Sequence, residues 1–291
     1  MSDRAASSTA VLVCQGRAAA DGRFAVGRFS DPVAWQLLDQ AERTVVEQVR
    51  AEQPPSNGSG RITYELVRRT ALLMVPRTLA IDTAVREHGA RQVVILGAGL
   101  DARAWRMPDL ASVTVYEVDH PASQLDKQRR LGGLEPAVRS VVPVAVDLEH
   151  DALAPALEPT GFDTSAATTW VWEGVVPYLT ARAVEATVSQ LAELAGTGSL
   201  LVVNYQARSL AASVMRRGMR LVSRLARQQD PLANEPWRCT WSPDTMRTML
   251  AGNGFDVTAD DDLLTLADGL GLPSGADASL RNGRLAVAVR R

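Results

Sequence analysis

Residues 93–107 read VVILGAGLDARAWRM. A short apolar run, Val93–Leu96, meets Gly97-Ala98-Gly99 and then an acid, Asp101. A strand covered on both faces reads as a continuous apolar run, and the turn after such a strand is where nucleotide-like ligands sit. The spacing Gly97-x-Gly99-x-x-Ala102 also satisfies the loose dinucleotide fingerprint G-x-G-x-x-G/A. The loop by itself therefore leaves NAD and other adenosine-bearing ligands open.

Downstream of this stretch the chain alternates strands with helices. Val93–Leu96, Val113–Val118, Val141–Val146, Thr168–Trp172 and Leu200–Asn204 are short apolar runs spaced as βαβ units require. Residues 181–195 read as a helix stopping at Gly196, residues 208–228 as an arginine-rich helix, and 254–258 and 284–289 as late strands. Upstream, the first ninety residues read as helical. Asp31-Pro32 is an N-cap with proline at the first helical position, and residues 53–60 are a loop by composition. Two helices over 61–74 and 77–88 are expected, divided by Pro76. The sum is a doubly wound α/β sheet behind a helical cap, with an insertion near 207–242.

The bulk numbers bound the function classes. The 291 residues are 46% hydrophobic and 22% charged, with a net charge of -2, which gives no footing for nucleic acid or an anionic membrane. The longest apolar runs are too short to span a bilayer, and the N-terminal VLVC run is shorter than a signal-peptide core. Two cysteines without paired spacing suit a reducing cytoplasm and exclude a cysteine-built zinc site. Almost all cations are arginine; Lys127 is the one lysine.

Acids punctuate the carboxyl ends of the later strands. Asp119 closes the second strand about twenty residues beyond the loop, where a carboxylate accepts from ribose hydroxyls in either cofactor class. Asp147-Leu148 closes the third, an acid for an exocyclic amine beside an apolar cover for the adenine ring. The fourth runs into Glu173-Gly174 and then Tyr178-Leu179. A short-chain reductase would need a Tyr-x-x-x-Lys pair, which Lys127 cannot supply, and most NAD domains of this size begin with the glycine-loop strand.

Arg77-Thr78, the stretch Leu96–Asp101 with Trp105-Arg106, Glu117-Val118-Asp119 followed by Pro121, Asp147-Leu148, Glu173-Gly174-Val175 with Tyr178-Leu179, and Asn204-Tyr205 occur in this order. The set resembles the leucine carboxyl methyltransferase family, including its bacterial small-molecule branch of class I S-adenosylmethionine enzymes, over roughly residues 10–260. The resemblance implies a Rossmann-like, mostly parallel sheet with one antiparallel edge strand, a helical cap over 1–90, a methyltransferase core over 91–291 and an inserted helical lid. It implies S-adenosyl-L-methionine as cofactor and S-adenosyl-L-homocysteine as product. Gly97 and Gly99 would then approach the methionine part, Asp119 the ribose, Asp147 and Leu148 the adenine, and Glu173 the amino group. Arg77 would face the carboxylates of cofactor and acceptor, Tyr178 would contact the acceptor, and Arg17 matches a basic residue near the family's N-terminus. Asp101 is read equally as a helix cap.

Chemistry narrows the acceptor. Methyl transfer from a sulfonium is an in-line displacement governed by positioning and electrostatics. A phenol or amine needs its proton removed, and His88, His120 and His150 read as surface residues. A carboxylic acid is already ionised near neutral pH and needs no base. After Asn204-Tyr205 the chain continues Gln206-Ala207, whereas protein-methylating members continue with an acid. The expectation is methyl esterification of a small organic acid of secondary metabolism, with a small-molecule carboxylic acid as partner; a homodimer is compatible with the chain. Phenolic O-methylation, protein C-terminal carboxyl methylation, a nicotinamide-dependent reductase and a catalytically silent binding protein are the alternatives.

Overall fold

The computed structural model describes residues 7–207, 238–272 and 278–291. The arginine-rich helix expected at 208–228 and Trp237 lie outside these residues. Among the described residues seven strands form one sheet: β1 (Gln92–Leu96), β2 (Thr114–Asp119), β3 (Ser140–Ala145), β4 (Thr168–Trp172), β5 (Leu200–Gln206), β6 (Phe255–Asp262) and β7 (Gly283–Arg290). Their order is β3-β2-β1-β4-β5-β7-β6. The first five pair in parallel; β7 runs antiparallel between β5 and β6, which occupies the edge. Chain order reverses between β1 and β4, so the carboxyl ends of these two strands flank the crevice where such sheets bind ligands.

Alternation along β1 fixes what covers each face. Val94 and Leu96 join Trp170, Trp172, Val184 and Leu191 on the side of a helix at Ala181–Leu194. Val93 and Ile95 join Ile81 and Val85 of the long helix α4 (Gly58–His88) on the other. Helices thus cover both faces, and each fully buried aliphatic side chain contributes about 1.5–3 kcal/mol. A third cluster lies among α1 (Ser8–Ala20), α2 (Pro32–Gln36), α3 (Gln40–Arg50) and α4. Asp31 caps α2, its carboxylate accepting from the Ala34 N–H at 3.0 Å.

The structure corrects one expectation about α4. Pro76 does not divide it: Gly58–His88 is one helix with the proline inside and buried. An interior proline costs about 3 kcal/mol through its missing N–H. Here Val67, Ala71 and Val75 pack against the first helices while Ile81 and Val85 pack against the sheet. Both halves are anchored, and the burial on each side offsets that cost.

Candidate active site

Arg77, Gly97, Gly99, Asp119, Asp147, Leu148, Glu173 and Tyr178 all line one cavity of about 830 Å³. Their positions follow from sheet register. Leu96 pairs with Val118 and Asp119 with Ala145, which sets the ends of β1, β2 and β3 side by side. The Gly97 N–H donates to the Val118 carbonyl at 2.7 Å, bending the loop toward β2. Gly97 sits at φ +65°, and a Cβ there would lie 2.3 Å from Val175 Cγ2, so no larger residue fits the turn. Helix α1 forms a wall of which the sequence reading had named Arg17 alone: Thr9, Ala10, Val13 and Arg17 line the cavity.

Asp119 turns back onto the loop. One carboxylate oxygen accepts the Gly99 N–H at 2.5 Å and the other the His120 N–H at 2.6 Å. Burial pushes this carboxyl above the usual aspartate range, against the pull of those two donors. An ionised carboxylate offers about four acceptor positions, so capacity remains toward the cavity. Asp147 receives the Glu149 N–H at 3.0 Å, and Leu148 packs against the core.

Beneath the loop, charges alternate without a break. Arg17 pairs with Asp31 at 2.7 Å, Asp31 with Arg106 at 3.4 Å, and Arg106 with Asp82 at 2.6 Å. Asp82 pairs with Arg103 at 2.8 Å, Arg103 with Glu173 at 2.8 Å, and Glu173 with Arg77 at 2.7 Å. Asp101 joins at Arg103: it accepts the Arg103 backbone N–H at 2.7 Å and contacts its guanidinium. The N-cap of the single turn at Arg103–Arg106 is Ala102, which makes no side-chain cap bond; Asp101 instead holds the first N–H of that turn and also lines the cavity. Burial pushes Glu173 up, but the Arg77, Arg103 and Arg17 guanidiniums outweigh it and hold this carboxyl well below the usual range. Asp82 is likewise held down, by Arg106 and Arg103 against burial.

Arg77 spends three of its five N–H donors on Glu173, Asn204 (3.4 Å) and Met74 Sδ (3.0 Å). Its guanidinium lies under Gly174, where a Cβ would stand 3.8 and 4.0 Å from the two terminal nitrogens. Glycine leaves that edge uncovered. At the outer end, Thr9 Oγ1 reaches the Tyr178 hydroxyl at 3.5 Å, and the half-exposed Arg238 lines the rim with Glu149 at 3.3 Å.

The histidines differ in place. His120 lines the cavity, and its Nδ1 accepts the Ala122 N–H at 3.2 Å as the cap of the following helix. His88 bonds Thr169 at 2.7 Å and the Gly198 carbonyl at 2.9 Å, beside a separate hollow of about 760 Å³ on the α4 face. Trp241 is a core residue whose indole N–H donates to Cys239 Sγ at 3.3 Å. The sequence reading also missed Arg103 and Arg238. Arg103 had a signal: it stands two residues beyond the acid that follows the glycine turn.

The fold matches solved class I methyltransferases. A Thermobifida fusca structure described as a methyltransferase superposes with a TM-score of 0.54, at 15% identity, over 96% of this chain and 94% of its own. A Streptomyces avermitilis structure of the family DUF574 gives 0.55, at 15% identity, over 95% and 97%. In sequence, the family model "Leucine carboxyl methyltransferase" matches residues 10–192. A Mycobacterium avium (strain 104) protein assigned to the S-adenosyl-L-methionine-dependent methyltransferases is 34% identical over 98% of this chain and 94% of its own length. A Streptomyces coelicolor relative with the same assignment is 38% identical over 53% of this chain and 50% of its own. The chain belongs to the leucine carboxyl methyltransferase family and is an S-adenosyl-L-methionine-dependent methyltransferase. The residues present fit that cofactor: a turn whose Gly97 and Gly99 carry no Cβ, a strand-end carboxylate with spare acceptor capacity, and an acid–arginine pair on the cavity floor.

Proposed function

We propose that the enzyme methyl-esterifies the carboxylate of a small organic acid, of the kind secondary metabolism makes. The observation that carries this reading is the state of the described cavity's one histidine. A neutral imidazole has a single acceptor nitrogen, and in His120 that nitrogen holds the helix N–H of Ala122. Its other nitrogen therefore carries the hydrogen and has no lone pair for a phenol's proton. Glu173 is ionised but held between two arginines, and Asp101 is tied to Arg103. A carboxylate acceptor arrives ionised and needs none of these as a base.

When bound, S-adenosylmethionine would supply an electrophilic methyl group on a sulfonium, whose transfer to an acceptor oxygen leaves the neutral thioether of S-adenosylhomocysteine. Gly97 and Gly99 let the backbone approach its methionine part, and Asp119 accepts from its ribose hydroxyls. Asp147 and Leu148 take the adenine edge and face, and Glu173 takes the amino group. Arg77 offers its two remaining N–H donors past Gly174 to a carboxylate, in the parallel geometry a guanidinium provides. At the rim, Tyr178 and the half-exposed guanidinium of Arg238 orient an acidic acceptor.

Two measurements test this. Thermal melting with S-adenosylmethionine, S-adenosylhomocysteine and NAD comes first, since a ligand specific for the folded state raises its stability by mass action. A panel of aromatic and aliphatic acids beside phenols matched in shape follows, with methylated product read by mass spectrometry. Methyl esters from the acids and none from the phenols are the expected result; turnover confined to the phenols would sink the esterification reading.

A further inference from the structure

We propose that Arg103 is a positioning residue for the cofactor site: it is the hub that fixes Glu173 in place and in its ionised form, without itself touching a ligand. The inference rests on the reading of Glu173 given above and goes one layer beneath it. Arg103 does not line the cavity, and its side chain is 3% exposed. Its guanidinium nevertheless meets three carboxylates from three parts of the chain: Asp82 of α4, Asp101 of the glycine loop and Glu173 beyond β4. The two oxygens of Glu173 are divided between Arg77, at 2.7 Å, and Arg103, at 2.8 Å. A carboxylate held at both oxygens cannot turn about its terminal bond, so its remaining lone pairs keep one direction.

The connected groups are Arg17, Arg77, Arg103 and Arg106 against Asp31, Asp82, Asp101 and Glu173, so the charges balance. Arg103 stands in the middle of that chain. Without it, Asp82 keeps Arg106 and Glu173 keeps Arg77, but Asp101 loses its cation and the cluster gains a net negative charge. The charged groups facing Glu173 would then be Arg77 from α4, Arg17 from α1 and an uncompensated Asp101 from the loop. Burial would gain on the remaining cations, and the Glu173 proton affinity would rise. A lysine restores the charge but concentrates its donors on one nitrogen, which cannot serve three carboxylates as a planar fork does.

The test is S-adenosylhomocysteine titration by calorimetry from pH 5.5 to 8, on the wild type, Arg103→Gln, Arg103→Lys, Glu173→Gln and the double variant Arg103→Gln/Glu173→Gln. Folding is checked by circular dichroism. The wild type is expected to bind with the Glu173 contribution constant across this range. Arg103→Gln should bind about tenfold more weakly, the scale of one charge-assisted hydrogen bond, and lose further affinity toward pH 5.5. Arg103→Lys should recover the pH dependence of the wild type but not its full affinity. The double variant should bind no worse than Glu173→Gln alone, because both changes remove the same interaction. If Arg103→Gln does not fold, Arg103→Lys with and without Glu173→Gln carries the same cycle. Wild-type affinity in the folded Arg103 variants, or strict additivity in the cycle, would overturn the role of Arg103 while leaving that of Glu173 intact. Wild-type affinity in Glu173→Gln would instead overturn the reading of Glu173, and this inference with it.

Discussion

The floor and the rim of the cavity are built on opposite terms. On the floor, Arg17, Arg77, Arg103, Asp82 and Glu173 are buried, with partners at 2.6–2.8 Å from several elements. At the rim, Thr9 reaches Tyr178 at 3.5 Å and Arg238 meets Glu149 at 3.3 Å while half exposed. Buried ion pairs cost nearly as much desolvation as they return in attraction, so they are a poor source of net stability. What such a network supplies is fixed direction. That suits a cofactor that is the same in every turnover, whereas loosely held rim groups suit the entry and exit of the proposed acceptor.

The largest effect should come from cutting the floor. Arg77→Ala leaves Glu173 with one contact cation and removes the proposed carboxylate clamp. Removing one partner of a buried pair costs about 3–5 kcal/mol. The melting temperature should drop by many degrees and methyl transfer should disappear. A variant that melts like the wild type would mean that the floor is no more committed than the rim.

Gly97→Ala should rank next. The left-handed conformation costs a side chain about 1–2 kcal/mol, and the new Cβ would stand 2.3 Å from Val175 Cγ2. Adding Val175→Ala removes the 2.3 Å contact, leaving a tight 3.3 Å approach to the remaining Cβ and the backbone cost, so the double variant should recover part of the lost S-adenosylhomocysteine affinity. Equal affinity for single and double variants would show that Val175 moves aside freely and that the turn is softer than its geometry implies.

These two positions also mark what the sequence disclosed. The glycine turn and the strand-end acids were legible because each is local: a residue type at a fixed offset from an apolar run. The glycines and strand-end residues so named line one cavity, together with Arg77, which only the family resemblance had singled out. Arg103 sits inside the same opening stretch and was passed over. Its partners come from α4 and from beyond β4, some twenty and seventy positions away, and an arginine among so many resembles a surface residue. Pro76 misled for a related reason. A proline is a local signal for a break, while the packing that holds Gly58–His88 together comes from α1 on one side and the sheet on the other.

Acid pH should separate two classes of floor carboxylate. Glu173 and Asp82 have folded pKa values below their unfolded ones, so their stabilisation is present above the ordinary carboxylate range and is lost only as pH falls through the depressed values. Asp119 has the opposite sign: burial raises it, the folded state binds its proton more tightly, and ionising it costs some stability above that range. On acidification, S-adenosylhomocysteine affinity should therefore decline before the protein unfolds. Asp119→Asn should bind more weakly at neutral pH and lack that decline. Affinity and melting temperature falling together in the wild type would mean that one group governs both.

The smallest effect on stability should come from the rim, and there the two ends of the cavity can be set directly against each other. Arg238 is 50% exposed and its pair with Glu149 is long, so the pair's contribution lies in the range of about 0–1 kcal/mol found for surface pairs. Arg238→Ala should leave melting temperature and S-adenosylhomocysteine affinity within error of the wild type. If the acceptor is an acid, KM for that acid should rise severalfold while kcat changes less, because a rim cation binds ground and transition states alike. Salt should mimic the variant, since an exposed charge is screened and a buried one is not. An Arg238→Ala enzyme with unchanged KM would move acceptor recognition inward, to Arg77 and Tyr178, and would make the floor responsible for both ligands.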